Sequence, residues 1–283
     1  MRYFVAVAAE QNIHRASERL HVSPASLSKA ISRLEEELGI NLFTREGRNI
    51  KLTEQGALLQ KRASEILHLE ESAKLEVRGH GATLQAIVAG SEVLLSKFGM
   101  EFASRLLKKY PDSQCEFISM DDDLAMGKIE RGEAHVAFVT ETSTHRDLHF
   151  KSLAQCSFQT GVGNGHPLYR QAQKGESVTI DRVLEYGFVS PSRALLGQVG
   201  ARQSSDGWRD DKFPRKIACR TSSLKLLESF VASGQMLAYL PDYYIEKLGL
   251  KTLQVTGCPY SCKQTIHMAV RNPKEVGWIR QLF

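Results

Sequence analysis

The chain contains 283 residues, of which 24% are charged and 42% hydrophobic, the proportions of an ordinary globular protein. This length exceeds that of one typical domain, so two or three folded units are expected. The formal net charge of +5 allows nucleic-acid binding without requiring it, and no apolar run approaches the length that crosses a bilayer. A cytoplasmic protein without a membrane partner is therefore expected.

Two further features exclude other classes of protein. The opening apolar stretch ends at Glu10 and leads into no cleavage-like site, so it does not resemble a signal peptide. The five cysteines are an odd number and lack the paired spacing of a zinc site. Reduced thiols, no bound metal and no cofactor are expected.

Three helices are predicted at the N-terminus. The first is the amphipathic segment MRYFVAVAAEQN, and Asn12 and Ser23 are suitable N-caps for the second and third. Pro24 suits the first position of the third helix because the amide hydrogen that it lacks would be unsatisfied there, and Gly39 ends that helix. Its apolar spacing predicts a buried stripe of Leu27, Ile31, Leu34 and Leu38.

The opposite face of the third helix carries short side chains and two cations. These residues are Ala25, Ser28, Lys29, Ser32 and Arg33. Short side chains let a helix approach a partner closely, and hydroxyls and cations contact phosphates and base edges in a major groove. Two helices joined by a tight turn, the second bearing such a face, indicate a helix-turn-helix. The alternative is a face that contacts only water.

A β-hairpin is predicted next, with the turn REGRN between residues 41–44 and 50–52. Arg45 and Arg48 lie at its tip, and an arginine on a projecting hairpin can enter a narrow minor groove. The alternative is a solvated turn with ordinary surface arginines.

The segment from Thr53 to about Arg78 contains no proline and one glycine, which predicts a single helix of roughly 40 Å. Its apolar residues follow heptad spacing, a narrow stripe that favours pairing with a second helix. They are Leu59, Ala63, Ile66, Ala73 and Val77. Packing against its own domain is the alternative. Residues 79–81 are expected to form a hinge.

From Leu84 onward strands and helices alternate, which favours a parallel α/β sheet. Two small lobes are predicted, with the chain crossing between them twice. Open sheets bind ligands at the carboxyl ends of their strands. Polar residues at those ends are Ser91, Thr140, Glu141, Ser190, Thr221, Ser222 and Ser223. Beside helix N-termini they favour a polar or anionic small molecule, although each one taken singly is also an ordinary N-cap.

The stretch from Arg2 to Gly56 resembles the N-terminal winged helix-turn-helix of LysR-type transcriptional regulators, and TSSLKLLESFVASGQMLAYLP resembles a later stretch of that family. The resemblance implies an α/β fold with an all-α-like winged helix-turn-helix head and an effector domain of two α/β lobes, like those of periplasmic binding proteins. It implies double-stranded operator DNA and a small-molecule effector bound between the lobes as partners. It also implies a homodimer formed through the linker helix, assembly into a tetramer, and RNA polymerase as a further candidate partner.

The resemblance also implies which residues contact DNA. These are Arg15, Ser23, Ala25, Ser28, Lys29, Ser32, Arg33, Arg45 and Arg48. Pro24 stands where the family commonly has a glutamine, so base recognition is expected to depend more on Ser28, Lys29 and Arg33.

The expected domain boundaries follow from these segments. Residues 1–56 form the DNA-binding domain, 57–80 the linker and dimerisation helix, and 81–283 the effector-binding domain. Within the last, lobe I comprises 81–155 and 258–283, and lobe II comprises 156–257.

Three other functions compete with a transcriptional regulator. An enzyme is not expected, because the sequence contains no GxSxG, HExxH or phosphate-binding glycine motif. A two-lobed solute-binding protein is disfavoured by the DNA-binding head. A thiol-based redox sensor would use Cys258 and Cys262, or Cys156, but no cluster of cations beside them in the sequence lowers a thiol pKa.

Overall fold

A computed structural model of the chain describes residues 1–46, 49–78, 84–197, 204–271 and 277–280. The N-terminal head consists of three helices followed by an antiparallel hairpin. These elements are α1 Arg2–Glu10, α2 Ile13–Leu20, α3 Pro24–Leu38, β1 Phe43–Glu46 and β2 Asn49–Leu52. Its core contains Phe4, Val7, Leu27 and Leu42, all buried. The predicted winged helix-turn-helix is confirmed.

Local signals determine where these helices begin and end. The Asn12 side chain accepts a hydrogen bond from the Arg15 N–H at 3.1 Å, and the Ser23 hydroxyl accepts one from the Ser26 N–H at 3.1 Å. Gly39 ends α3 in the left-handed conformation, with φ +67°, which glycine adopts without steric cost. Both predicted N-caps and the predicted stop are confirmed.

The predicted buried stripe of α3 is wrong at its C-terminal end. Leu27 and Ile31 are buried, but Leu38 is 45% exposed. The last turn of α3 meets the hairpin through polar contacts instead, because the Glu35 carboxylate accepts the N–H groups of Leu42 and Phe43 at 2.7 and 3.1 Å. The apolar core of the head therefore ends before Leu38.

The linker helix α4 Glu54–Arg78 is one continuous element of 25 residues, as predicted. Its apolar residues divide into two groups. Leu59 and Ala63 pack into the core of the head, whereas Ile66 and Val77 are 53% and 88% exposed in the single chain. The predicted hinge at residues 79–81 lies outside the described residues.

The effector domain is built on a seven-stranded sheet. Its strands are β3 Gln85–Gly90, β4 Gln114–Ser119, β5 Val136–Val139, β6 Leu148–Val162, β10 Ala238–Pro241, β11 Lys251–Thr252 and β13 Lys263–Arg271. Their order is β10-β6-β13-β5-β3-β4, with β11 also paired to β6. Strand β3 is parallel to β4 and β5, whereas β13 is antiparallel to β5 and β6. The expected parallel sheet is found for β3, β4 and β5, but the whole sheet is mixed, because β13 runs antiparallel to both of its neighbours.

Helices and short strands cover this sheet and complete lobe II. In lobe I they are α5 Glu92–Leu94, a π-helical turn Leu95–Gly99, α6 Met100–Lys109, α7 Asp122–Glu130 and, near the chain end, α12 Gly277–Arg280. In lobe II they are α8 Tyr169–Lys174, β7 Ser177–Thr179, α9 Ile180–Leu184, β8 Gly187–Pro191, β9 Lys216–Thr221, α10 Leu224–Ala232, α11 Asp242–Lys247 and β12 Gln254–Thr256. Strand β8 is parallel to β9, and β12 is parallel to β7.

The linker helix docks on lobe I through buried polar contacts. The Gln60 amide donates to the Glu133 carboxylate at 2.9 Å, and the Ser64 hydroxyl donates to the Arg131 carbonyl at 3.1 Å. Gln60 and Ser64 are each only 1% exposed. These hydrogen bonds favour one arrangement of α4 on lobe I, because burying either side chain without its hydrogen-bond partner would cost free energy.

An ion pair extends this contact to the sheet. The Arg271 guanidinium, at the C-terminal end of β13, pairs with the Glu65 carboxylate of α4 at 2.5 Å, and both side chains are largely buried. Lys61 of α4 also pairs with Asp147, beside the start of β6. The position of the head relative to the effector domain is thus set by contacts from α4 to the ends of two central strands.

Gly132 permits the close approach of α4. It has φ +68°, and a Cβ atom there would lie 2.4 Å from the Cβ of Ser64; Gly175 has the same φ with no atom within 4 Å. An alanine at either position would have to adopt the left-handed backbone conformation, which costs free energy. Only Gly132→Ala would also place its Cβ atom too close to Ser64 of α4. We expect Gly132→Ala to lower the free energy of unfolding by about 1–3 kcal/mol more than Gly175→Ala. Urea titration measures both, and equal losses would contradict the packing described.

Candidate DNA interface and effector cleft

The candidate DNA interface is the outward face of α3. Ser23, Ala25, Ser28, Lys29, Ser32 and Arg33 are all exposed. Within the described part of the chain, neither Lys29 nor Arg33 forms an ion pair. The hydroxyl of Ser23 is already engaged in capping α3, so it is less available for DNA than the hydroxyls of Ser28 and Ser32.

Three further arginines were predicted to contact DNA. Arg15 is exposed on α2, and Arg45 is exposed on β1. Arg48 lies outside the described residues. The exposed cations on α2, α3 and β1 give the head a positive surface that a DNA backbone would favour.

A cavity of about 170 Å³ lies between the two lobes. It is formed where the carboxyl ends of parallel strands β3 and β4 in lobe I face those of β8 and β9 in lobe II. Its lining includes Ser91, Ser119, Met120, Asp121, Pro191, Arg193 and residues 221–224. This is the position at which open α/β sheets bind ligands.

Four of the seven predicted effector residues line this cavity: Ser91, Thr221, Ser222 and Ser223. Two of them also act as N-caps, because the Ser91 hydroxyl accepts the Leu94 N–H at 3.4 Å and the Ser223 hydroxyl accepts the Leu226 N–H at 3.3 Å. The capping and ligand-binding interpretations are therefore compatible at these two positions.

The other three predicted effector residues lie outside the lining. Ser190 is completely buried in β8, next to the lining residue Pro191, and its hydroxyl has no hydrogen-bond partner among the described residues. Thr140 and Glu141 surround a buried carboxylate instead. Oxygen Oδ2 of Asp122 accepts from the Thr140 N–H at 2.6 Å, the Thr140 hydroxyl at 2.9 Å and the Glu141 N–H at 3.2 Å.

Sequence reasoning missed the charged residues of the cavity. Arg193 follows β8, Glu92 begins α5, and Asp121 precedes α7; all three contribute to the lining. The rule that selected Ser91 could have found them, since each follows the carboxyl end of a strand. Arg193 carries the strongest signal of the three, because a guanidinium is a common partner of anionic ligands.

Burial keeps three of the thiols in their neutral form. All five cysteines are free. Burial raises the pKa of the Cys156 thiol to about 12 and raises those of Cys262 and Cys115. A thiol held in its neutral form is a poor nucleophile, which weighs against a redox sensor that uses Cys156 or Cys262.

Neither a metal site nor a membrane-spanning helix is found among the described residues. No group of three or more histidine, cysteine, aspartate or glutamate residues there could hold a metal ion. No described helix combines the length and the hydrophobicity needed to span a membrane.

Asp122 generates a pH-dependent prediction. Burial raises its pKa, against the opposing effect of the hydrogen bonds from Thr140 and Glu141. A raised pKa in the folded state stabilises the fold most when the carboxyl is protonated, and this contribution is lost as pH rises from the unfolded pKa of about 3.9 through the raised value. The variant Asp122→Asn does not titrate, so the stability of wild type relative to this variant should fall as pH increases from about 4.

Urea unfolding of both proteins at a series of pH values between about 4 and 7 measures this difference. The change Gln114→Ala, at an exposed residue that carries no titratable group, is the control and should show no comparable trend. A constant difference between wild type and Asp122→Asn would show that the Asp122 pKa is not raised.

Comparison with known proteins agrees with this geometry. Residues 1–57 match the family model described as "Bacterial regulatory helix-turn-helix protein, lysR family", and residues 87–276 match that described as "LysR substrate binding domain". The chain is 26% identical over 245 residues to the transcriptional regulator BsdA of Bacillus subtilis, covering 85% of this chain and 82% of BsdA. It is 27% identical over 248 residues to the Hca operon transcriptional activator HcaR of Escherichia coli, covering 86% and 81%.

Solved structures show the same fold. A full-length OxyR variant from Pseudomonas aeruginosa superposes with a TM-score of 0.68 at 20% identity, covering 99% of this chain and 91% of OxyR. Full-length LysG from Corynebacterium glutamicum, with bound effector Arg, gives a TM-score of 0.62 at 16% identity, covering 99% and 94%. The two family models together span the head and most of the effector domain. The chain therefore belongs to the LysR family and is a transcriptional regulator with a helix-turn-helix DNA-binding segment and a substrate-binding domain.

Proposed function

We propose that this regulator binds operator DNA through the exposed face of α3 and that a small polar or anionic effector in the cleft controls that binding. The observation that carries the proposal is the composition of the α3 face. Two cations without an ion pair among the described residues, and two exposed serines, project there from a helix face of otherwise short side chains. Ser28 and Ser32 would contact base edges, and Lys29 and Arg33 phosphates or guanine.

The rest of the head would hold this helix in the major groove. Arg15 on α2 is placed to contact the DNA backbone, as the first helix of a helix-turn-helix does. Arg45, with Arg48, would contact a minor groove beside the recognition helix. Such a protein acts where operator DNA lies, which in a bacterium is the cytoplasm.

A homodimer would present two heads to two half-sites. The exposed Ile66, Leu69 and Val77 of α4 are apolar surface for which a second copy of the helix is the expected cover. This supports the division of the chain into a DNA-binding domain 1–56, a dimerisation helix 57–80 and an effector-binding domain 81–283. Further exposed apolar residues on the effector domain, Met100 and Leu226, support assembly of dimers into tetramers, and contact with RNA polymerase stays a prediction.

The lining of the cleft supports a small carboxylate as effector. Arg193 and the hydroxyls of Ser91 and Ser222 can hold one anionic group, whereas Glu92 and Asp121 favour a second group that donates hydrogen bonds. At about 170 Å³ the cavity is smaller than a site for a drug-sized ligand. The described lining offers charge and hydrogen bonds without a paired nucleophile and base, which supports a ligand that is bound and not converted.

The effector would act through α4. A ligand that closes the cleft moves lobe II relative to lobe I, and lobe I holds α4 through Ser64 and Glu65. The effect on DNA affinity cannot exceed the difference in ligand affinity between the two arrangements, typically about 1–3 kcal/mol.

The role of Lys29 can be tested by salt titration. Lys29→Ala should weaken binding to all duplexes and lower the slope of log affinity against log salt by about one per bound head, because one phosphate contact releases about one counterion. Ser28→Ala should instead reduce the preference for operator over unrelated duplex. Lys108→Ala, at an exposed lysine of α6, is the control and should change neither. An unchanged slope for Lys29→Ala would mean that Lys29 faces water.

The dimer can be tested by placing a charge on α4. Ile66→Asp should give monomers that bind a full operator poorly, because the two half-sites need two heads. The control is Leu124→Asp on α7, at a leucine of comparable exposure, 60% against 53% for Ile66. Sedimentation velocity measures both variants, and an intact Ile66→Asp dimer would place the interface elsewhere.

A further inference from the structure

A second cavity, of about 250 Å³, is lined mainly by residues of lobe II and shares no lining residue with the effector cleft. It lies between β6 on one side and β11, β12 and residues 258–263 on the other. This cavity belongs to neither the proposed DNA interface on α3 nor the effector cleft.

Three buried aromatic side chains form the inner wall of this cavity. Phe158, Trp208 and Tyr239 are each at most 5% exposed. The Trp208 and Tyr239 rings meet edge to face with centroids 5.0 Å apart, and the Phe158 and Tyr239 rings are 5.6 Å apart. An aromatic ring in the cavity would pack against the parts of these three rings that face it.

Trp208 is held rigidly in the wall. Its indole N–H donates to the Phe213 carbonyl at 2.8 Å, and its backbone N–H donates to the Asp206 carboxylate at 3.2 Å. The Arg215 guanidinium lies 4.9 Å from the centre of the indole ring and is itself buried between the carboxylates of Asp206 and Asp210.

This buried ion cluster has a structural consequence for binding. Burying the charges of Arg215 and Asp206 costs desolvation free energy and is not by itself an argument for stability. It does fix the orientation of the indole before any ligand arrives. A wall that is ordered in advance loses little conformational entropy on binding.

The mouth of the cavity is polar, and Lys263 is the one charged residue of its described lining. Tyr260 is half-buried there, and the side chains of Gln254, Ser261 and Lys263 are exposed. Among the described residues the lining includes no aspartate or glutamate. An anionic group at the mouth would therefore meet the Lys263 ammonium without a competing carboxylate in the lining.

We propose that this cavity is a second ligand site, which binds a small aromatic carboxylate. The aromatic ring lies against Phe158, Trp208 and Tyr239, and the carboxylate lies at the mouth beside Lys263. The cavity volume is below the range of drug-sized sites, so the ligand is a single ring with a short acidic arm.

The test uses phenylacetate as the probe and Trp208 as the reporter. The chain has two tryptophans, so Trp278→Phe leaves Trp208 as the only one. Titration of this protein with phenylacetate to millimolar concentrations should give a saturable change in tryptophan emission. Cyclohexylacetate, which lacks the aromatic ring, and 2-phenylethanol, which lacks the charge, should each bind at least about threefold more weakly.

Variants at the mouth distinguish this site from other binding. Tyr260→Ala should raise the dissociation constant for phenylacetate roughly threefold to tenfold, and Lys263→Ala roughly twofold to fivefold. Lys251→Ala is the matched control, because Lys251 is an exposed lysine of the adjacent strand outside the lining. Ser222→Phe, which fills the effector cleft, removes any phenylacetate bound there and should leave the titration of Trp208 emission unchanged.

Isothermal titration calorimetry on the wild-type chain measures the same binding without the Trp278 change, so a folding defect in that variant does not decide the outcome. Absence of saturable binding in calorimetry would overturn the proposal. Equal affinity for cyclohexylacetate would overturn it as well, and so would loss of binding in Ser222→Phe with Lys263→Ala unaffected.

Discussion

The pairing of β6 with β13 is the constraint on which the rest of the effector domain depends. The two strands are aligned antiparallel from Lys263 opposite Ser157 to Arg271 opposite Leu148, with one shift in register between Ile266 and His267. Strand β13 begins beside the second cavity, pairs with β5 in lobe I, and ends at the ion pair with Glu65 of the linker helix. One strand thus connects both lobes to the helix that carries the DNA-binding head.

The cleft and the head are joined by this framework. The cleft lies where the ends of β3 and β4 face those of β8 and β9, so a ligand there contacts both lobes at once. Lobe I in turn holds α4 through the buried side chains of Gln60 and Ser64. Because packed interfaces change between discrete arrangements and do not deform smoothly, a change in lobe closure has a direct path to the linker. Its size is limited by the difference in ligand affinity between the arrangements.

The sequence predicted those features that depend on neighbouring residues. Asn12, Ser23, Pro24 and Gly39 are local signals, and the polar face of α3 follows from helical spacing alone. The strand ends at Ser91 and Thr221 could be located because a short apolar segment, IVA in β3 and IAC in β9, lies shortly before each of them. By contrast, the antiparallel course of β13, the role of Thr140 as a donor to Asp122, and the burial of Arg215 between two aspartates depend on residues that are distant in the chain. Side-chain type alone does not show which distant partner a polar residue meets.

The most direct test of this account is whether the head and the cleft are coupled, and hydrogen exchange of the whole chain with and without saturating operator DNA measures it. Coupling between two sites is reciprocal, so an operator bound at α3 should change exchange at α4, at the C-terminal end of β13 and around Thr221 to Leu224 at the cleft. The account predicts such changes in the effector domain as well as protection in α3. Exchange that changes only within the head and α4, and is identical throughout residues 84–271, would contradict it.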